Sequence, residues 1–281
     1  MTKTEADVVI PSTRFDEELA ETFRRLRMPK GLLERLAGIK ERRGWAPGRH
    51  FTDGATEAGQ EALRQSGVAP EQIGLFINAS VTRDNFEPAV AVGIHDRLGL
   101  PSSALNFDMT NACLGFVNAL TVAASMIDAG AIEYALVVAG EDPSPWHHAA
   151  VERLRGDDIT REQVVQEFAT LTLGCGAAAA VVGPADRHPN GHRIVGSVTR
   201  AGTEFNHLCI GGDDGMFTDA TGLLNHGVGL VVEAWLEAEK DGWQWRDMDS
   251  YVTHQVSNSH TNKLIQDMGL DADRVPLTFP Y

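Results

Sequence analysis

Apolar runs of strand length alternate with stretches of helical spacing along most of the chain. Residues 14–27 (FDEELAETFRRLRM) place apolar positions three and four apart among many charges, which predicts a helix, and residues 55–66 predict another that stops at Gly67. Ile73–Asn78 is a short apolar run bounded by polar residues, as a buried strand would be. A helix is expected over 87–98, entered by Glu87-Pro88, an acid followed by a first-turn proline. Ala104–Met109 reads as a strand, 112–128 as an apolar helix closed by Gly130, and Tyr134–Val138 as a buried strand. Further on, 161–169 reads as a helix, 171–183 (LTLGCGAAAAVVG) as a glycine-kinked strand or pair of strands, and 223–239 as a long helix. This alternation predicts an α/β layered fold with mostly buried strands.

The pattern also repeats. Residues 73–100 run strand, polar connector, helix, and close on Leu98-Gly99-Leu100; residues 249–270 run in the same order and close on Met268-Gly269-Leu270. The chain therefore reads as two pseudo-repeats. The first continues through Asn106-Phe107-Asp108 into the segment around Cys113 and the strand at 134–138. The second stops at its counterpart of that continuation, near Thr278 to Tyr281, so a truncated sequence is expected, short by about one strand–helix–strand unit.

Composition narrows the class. The 281 residues are 43% hydrophobic and 22% charged, enough for a large core and far from a disordered composition. A net charge of −15 argues against general binding to nucleic acid or an anionic membrane. No run approaches the ~20 apolar residues of a membrane helix, and the N-terminus lacks a signal-peptide layout. Three cysteines at wide spacings (Cys113, Cys175, Cys209) fit neither a disulfide scaffold nor a zinc site, and His147-His148 lacks ligand spacing, so no metal is expected. Cytoplasmic localisation follows as the expectation.

Chemistry centres on Thr110-Asn111-Ala112-Cys113-Leu114-Gly115-Phe116. With a strand ending near Met109 and a helix opening near Ala112, Cys113 is expected at a helix N-terminus. There, unpaired N–H groups and the helix dipole favour a thiolate, and small neighbours leave the sulfur open. The bland alternative is a buried core cysteine. That alternative suits Cys175, between Gly174 and Gly176 and before four alanines, while Cys209 carries no supporting pattern.

The segment Asn111-Ala-Cys113-Leu-Gly-Phe116 resembles the nucleophile segment of the thiolase superfamily, in the branch of 3-oxoacyl-(acyl carrier protein) synthase III. Three further segments agree in order: Thr82-Arg-Asp-Asn-Phe-Glu-Pro88, Leu173-Gly-Cys-Gly-Ala-Ala178 and His254-Gln-Val-Ser257. The similarity runs from about residue 15 onward. It implies a thiolase-like layered α/β/α/β/α fold, with an N-terminal half over 1–165 carrying the nucleophile and an incomplete C-terminal half over 166–281. It further implies Cys113 as nucleophile and His254 as an N–H donor to the thioester oxygen. The family's usual asparagine, in a Gly-Asn motif, has no counterpart here.

Glu87 separates the sub-branches. Decarboxylating synthases make their carbanion by losing carbon dioxide and need no base, whereas joining two unactivated acyl thioesters requires a carboxylate to remove an α-proton. Arg83-Asp-Asn-Phe-Glu-Pro88 is similar to the motif of OleA-type long-chain acyl-CoA condensing enzymes, in which the glutamate reaches into the partner subunit's active site. The bland alternative is an acid placed against a helix dipole. A departure points the same way: the Trp–Arg adenine clamp of typical synthases is missing before Ala37-Gly38-Ile39, where Leu32 and Leu36 stand instead. Residues 24–43 nonetheless carry Arg24, Arg25, Arg27, Lys30, Arg35, Lys40, Arg42 and Arg43 against Glu34 and Glu41. They form a candidate surface for coenzyme A phosphates or an acyl carrier protein, or simply a solvated charged face.

The reading is an acyltransferase that condenses two fatty acyl-CoA substrates through a Cys113 acyl-enzyme, as a homodimer, without a cofactor. The alternatives are a decarboxylating synthase III using malonyl-carrier protein, and a non-catalytic fragment or partner subunit.

Overall fold

The computed structural model describes residues 1–212 and 215–278. The chain divides into two compact units of interleaved segments. One holds residues 1–8, 43–142 and 174–196; the other holds 9–42, 143–173 and the described residues from Ser197 onward.

The first unit is built on a five-stranded mixed sheet. In chain order its elements are β1 Thr2–Glu5, α1 Phe51–Ser66, β2 Ile73–Asn78, α2 Val90–Arg97, β3 Leu105–Asp108, α3 Gly115–Asp128, β4 Tyr134–Glu141 and β5 Gly176–Val182. Strand order is β1-β5-β4-β2-β3. β2 runs parallel to both β3 and β4, while β5 is antiparallel to β4 and β1 antiparallel to β5. Strand alternation sends Leu75, Ile77, Ala135 and Val137 to one face, against Ala119 and Ala123 of α3. Phe76, Leu136 and Val138 go to the other face, against Ala55, Ala58 and Ala62 of α1, Ile94 of α2 and Leu98 just past its end. Both faces of β2 are covered, which is why its sequence is an unbroken apolar run. Each large side chain buried there, such as Phe76, contributes about 1.5–3 kcal/mol.

Helix ends explain where expectation and structure part. The helix expected from residue 55 begins at Phe51, because His50 and Asp53 cap it reciprocally: the His50 N–H donates to Asp53 Oδ2 at 2.8 Å, and the His50 ring accepts from the Thr52 N–H. It ends, as expected, at Gly67 with φ 71°. The helix expected over 112–128 begins only at Gly115, and the one expected over 87–98 begins only at Val90.

The second unit is mainly helical. The helical stretch 14–27 resolves into Ser12–Glu18 and Ala20–Arg25. Their Phe15, Leu19 and Phe23 form a core with Val151 and Leu154 of Ser144–Leu154, and with Val164, Phe168 and Leu171 of Arg161–Thr172. The long helix runs Ala220–Lys240, and the last described helix is Asn258–Met268. The strand expected at the opening of 249–270 is not formed: residues 251–255 have no strand pairing among the described residues, and Val252 is 84% exposed. Tyr251 N–H donates instead to the Arg274 carbonyl at 2.8 Å. A strand exists only where neighbours supply a ladder, so an apolar run does not suffice.

Candidate active site

In a parallel arrangement the connectors leaving the carboxyl ends of adjacent strands gather on one edge. Here β2 delivers residues 79–89, β3 delivers 109–114, and β4 ends at Glu141 between strand and loop.

Cys113 lies on the second of these connectors, two residues before the first helical residue of α3. Cys113 therefore sits in a strand-to-helix turn at the helix N-terminus, as expected, with the helix opening at Gly115 rather than near Ala112. Ala112 has φ 42°, a conformation that costs a non-glycine residue about 1–2 kcal/mol. Leu114 N–H closes the turn on the Asn111 carbonyl at 2.9 Å. The thiol is exposed, so the core-cysteine alternative does not hold for it. The turn also needs Gly115: a Cβ there would stand 2.9 Å from the Ala79 carbonyl oxygen and 3.0 Å from that of Met109. The start of α3 therefore rests directly on the backbone at the ends of β2 and β3.

Glu87 lies on the first connector, exposed, three residues ahead of α2. Its bland alternative was an acid serving the helix dipole, and that position is taken by another residue. Asp108, at the end of β3, accepts the Val90 N–H on Oδ2 and the Ala91 N–H on Oδ1, both at 2.8 Å. The connector is tied to the nucleophile's own loop: Arg83 Nη2 donates to Thr110 Oγ1 at 2.5 Å, and Thr110 Oγ1 donates to the Ser80 carbonyl at 3.1 Å. His50 Nε2 meets Asp84 Oδ1 at 3.1 Å, and Asn85 Nδ2 donates to the Pro88 carbonyl at 2.5 Å. Phe86 is 76% exposed at the tip. Asp84, Glu87, Val90 and Arg97 line an open groove of about 460 Å³.

His254 belongs to the second unit. The residue as a whole is exposed, yet surrounding protein desolvates its imidazole and holds its pKa below the ordinary histidine value, favouring the neutral form. Ser257 caps the following helix by accepting the His260 N–H at 3.2 Å, and its hydroxyl meets His260 Nδ1 at 3.0 Å. His260 is likewise held low, first by desolvation and then by the charge His254 can carry.

The remaining candidates separate by burial. Cys175 is buried and donates to Asp142 Oδ1 at 3.2 Å, while Cys209 is exposed in the ribbon formed by Cys209–Gly212 and Gly215–Thr218. Of the basic residues, Arg24, Arg27, Lys30 and Lys40 are exposed, and Arg43 is half-buried. Arg25 donates to the carbonyls of Gly156 and Asp157, so its guanidinium already holds a loop. Arg42 leaves the proposed surface altogether. It is 4% exposed, donates to Ser12 Oγ at 2.8 Å and lies 5.0 Å over the Phe15 ring; burial lowers its pKa to about 10. Among the described residues no cluster of three or more His, Cys, Asp or Glu side chains is gathered to hold a metal. None of the helices there is long and apolar enough to cross a membrane.

Asp108, Glu141 and Thr110 were not singled out from sequence. Asp108 stood at a predicted strand end, the only signal available, since its partners Val90 and Ala91 are reached by folding.

The profile of the family 3-oxoacyl-[acyl-carrier-protein (ACP)] synthase III matches residues 107–202. An acyl-CoA:acyl-CoA alkyltransferase of Xanthomonas campestris is 39% identical over 276 residues, covering 98% of this chain and 82% of the relative. A beta-ketoacyl-[acyl-carrier-protein] synthase III of Rhodospirillum centenum is 32% identical over 247 residues, covering 87% and 74%. Among solved structures, a cysteine-to-serine variant of Xanthomonas campestris OleA with bound lauric acid and lauroyl-CoA superposes with a TM-score of 0.95 at 38% identity. That match covers 99% of this chain and 83% of the other.

Proposed function

The chain belongs to the synthase III family of thiolase-like acyltransferases, and from that premise we propose that it condenses two fatty acyl-CoA thioesters without decarboxylation. The observation that carries the reading is the likeness to the alkyltransferase, higher in identity and coverage than the likeness to the decarboxylating synthase. Glu87, held on a connector hydrogen-bonded to the Cys113 loop, supports it from the side of chemistry.

In the proposed mechanism the Cys113 thiolate attacks the thioester carbonyl of one acyl-CoA, and the C–S bond to coenzyme A breaks as the acyl-enzyme forms. The partner subunit's Glu87 removes an α-proton from a second acyl-CoA. A His254 N–H donates to the thioester oxygen as it gains charge. The carbanion then attacks the acyl-enzyme carbonyl, the Cys113–acyl bond breaks, and a 2-alkyl-3-oxoacyl-CoA leaves. Exposure of Glu87 and of Phe86 beside it supports a homodimer in which each subunit lends its base to the other. Coenzyme A enters as part of the substrates, and no cofactor takes part. Exposed Arg24, Arg27 and Lys40 provide a surface for its phosphates or for an acidic carrier protein. A working thiol fits the reducing cytoplasm.

The test is a reaction with one acyl-CoA as the sole substrate, its products read by mass spectrometry. A 2-alkyl-3-oxoacyl product supports the reading; a strict requirement for malonyl-carrier protein would replace it with the decarboxylating alternative.

A further inference from the structure

The connector carrying Glu87 is gripped at both ends by carboxylates from neighbouring strands. At its start, Glu141, the last residue of β4, accepts the Val81 N–H on Oε1 at 2.7 Å, and the Thr82 N–H (3.0 Å) and hydroxyl (2.6 Å) on Oε2. Just past its end, Asp108, the last residue of β3, accepts the Val90 and Ala91 N–H groups, and Asn78 Nδ2 at 3.0 Å. Both carboxylates are met by N–H and O–H donors. The Val81 and Thr82 donors belong to the connector itself and the Val90 and Ala91 donors to the first turn of the helix it enters, and a carboxylate accepts on both oxygens at once. β2, from which the connector springs, lies between β3 and β4, so the two grips come from opposite sides.

We propose that Asp108 and Glu141 are positioning residues for proton abstraction, fixing the 79–89 connector so that Glu87 is presented at one reach and angle. This rests on the reading of Glu87 as base. It assigns the two carboxylates to the condensation step and separates them from acylation of Cys113. An amide is the informative replacement, because it keeps the shape but turns one accepting oxygen into a donor facing a donor. In Asp108→Asn an NH₂ faces the N–H of Val90 or Ala91, and in Glu141→Gln one faces the N–H of Val81 or Thr82.

The experiment measures two half-reactions in Asp108→Asn, Glu141→Gln and Glu87→Gln: acyl transfer to Cys113 by intact mass, and condensation of acyl-CoA alone. We expect condensation to fall about 10- to 100-fold in the two positioning variants, with acylation within roughly threefold of wild type. Combined with Glu87→Gln, neither substitution lowers condensation further, because each acts through that glutamate. A parallel loss of both half-reactions overturns the proposal, as does no loss, a further loss in the Glu87→Gln background, or failure of both variants to fold. If Glu87→Gln itself condenses at the wild-type rate, the base assignment has failed, a result distinguishable from failure of the positioning role.

Discussion

Three connectors lead from an extended segment to a helix and carry a candidate catalytic group, and two of them, those of Glu87 and His254, are held in different ways. The connector at 79–89 carries Glu87 and is fixed by Glu141 and Asp108, residues 60 and 18 positions away from their first contacts Val81 and Val90. The connector at 254–257 carries His254 and is fixed locally by the Ser257 cap, three residues from its partner His260. Gln255 adds a link to Pro276 and Thr278. Upstream, β2 is buried on both faces, whereas Val252 stands in solvent. A base must meet a carbon acid at one distance, so a tertiary clamp suits it. A histidine can donate a hydrogen bond in either protonation state; partial desolvation favours the neutral ring of His254, and the Ser257 cap fixes the start of the helix that follows it.

The contrast can be broken from the first connector. Glu87→Gln should lower condensation by about 10²- to 10⁴-fold while leaving acylation of Cys113 intact, as read by product formation against intact mass. An equal effect on both steps would erase the distinction. Gly115→Ala should come next: its Cβ meets two backbone carbonyls at 2.9 and 3.0 Å that cannot swing aside. Thermal unfolding should report a loss of about 1–3 kcal/mol.

The second connector should respond more weakly. Ser257→Ala removes a helix cap and should lower stability by about 1 kcal/mol, measured by urea unfolding. His254→Ala should raise the His260 midpoint toward the ordinary histidine value without reaching it, because desolvation, the larger influence, remains. Ring-proton NMR titration reads this directly. Both histidines titrate below their unfolded value, so the unfolded chain binds protons first as pH falls. Their contribution to stability is complete above about 6.5 and is lost as pH drops through the lowered midpoints.

What could be read in the sequence follows the same division. The stop of the first-unit helix at Gly67 was legible although its His50–Asp53 start was not, and so was β2, whose apolar run reflects cover on both faces. Cys113 stood out because its neighbours are small, although the helix was expected too early. The turn at Ala112 and the close approach at Gly115 delay its start, and both are set by contact with the ends of β2 and β3. Asp108 and Glu141 were silent because a strand-end carboxylate looks the same whether it meets water or clamps a distant loop. Arg42 misled for the reverse reason: a charge in a basic run looks exposed, and only folding places it over Phe15. The segment 251–253 has the composition of a strand and lacks pairing among the described residues, a property no single segment encodes.

The central claim is that Cys113 carries one acyl chain to meet another. Intact-mass measurement of the protein mixed with a single long-chain acyl-CoA tests it most directly. The account predicts a gain of one acyl group, absent in Cys113→Ala and discharged as product when more of the same acyl-CoA is added. An unmodified wild-type mass, or an adduct that persists in Cys113→Ala, would contradict it.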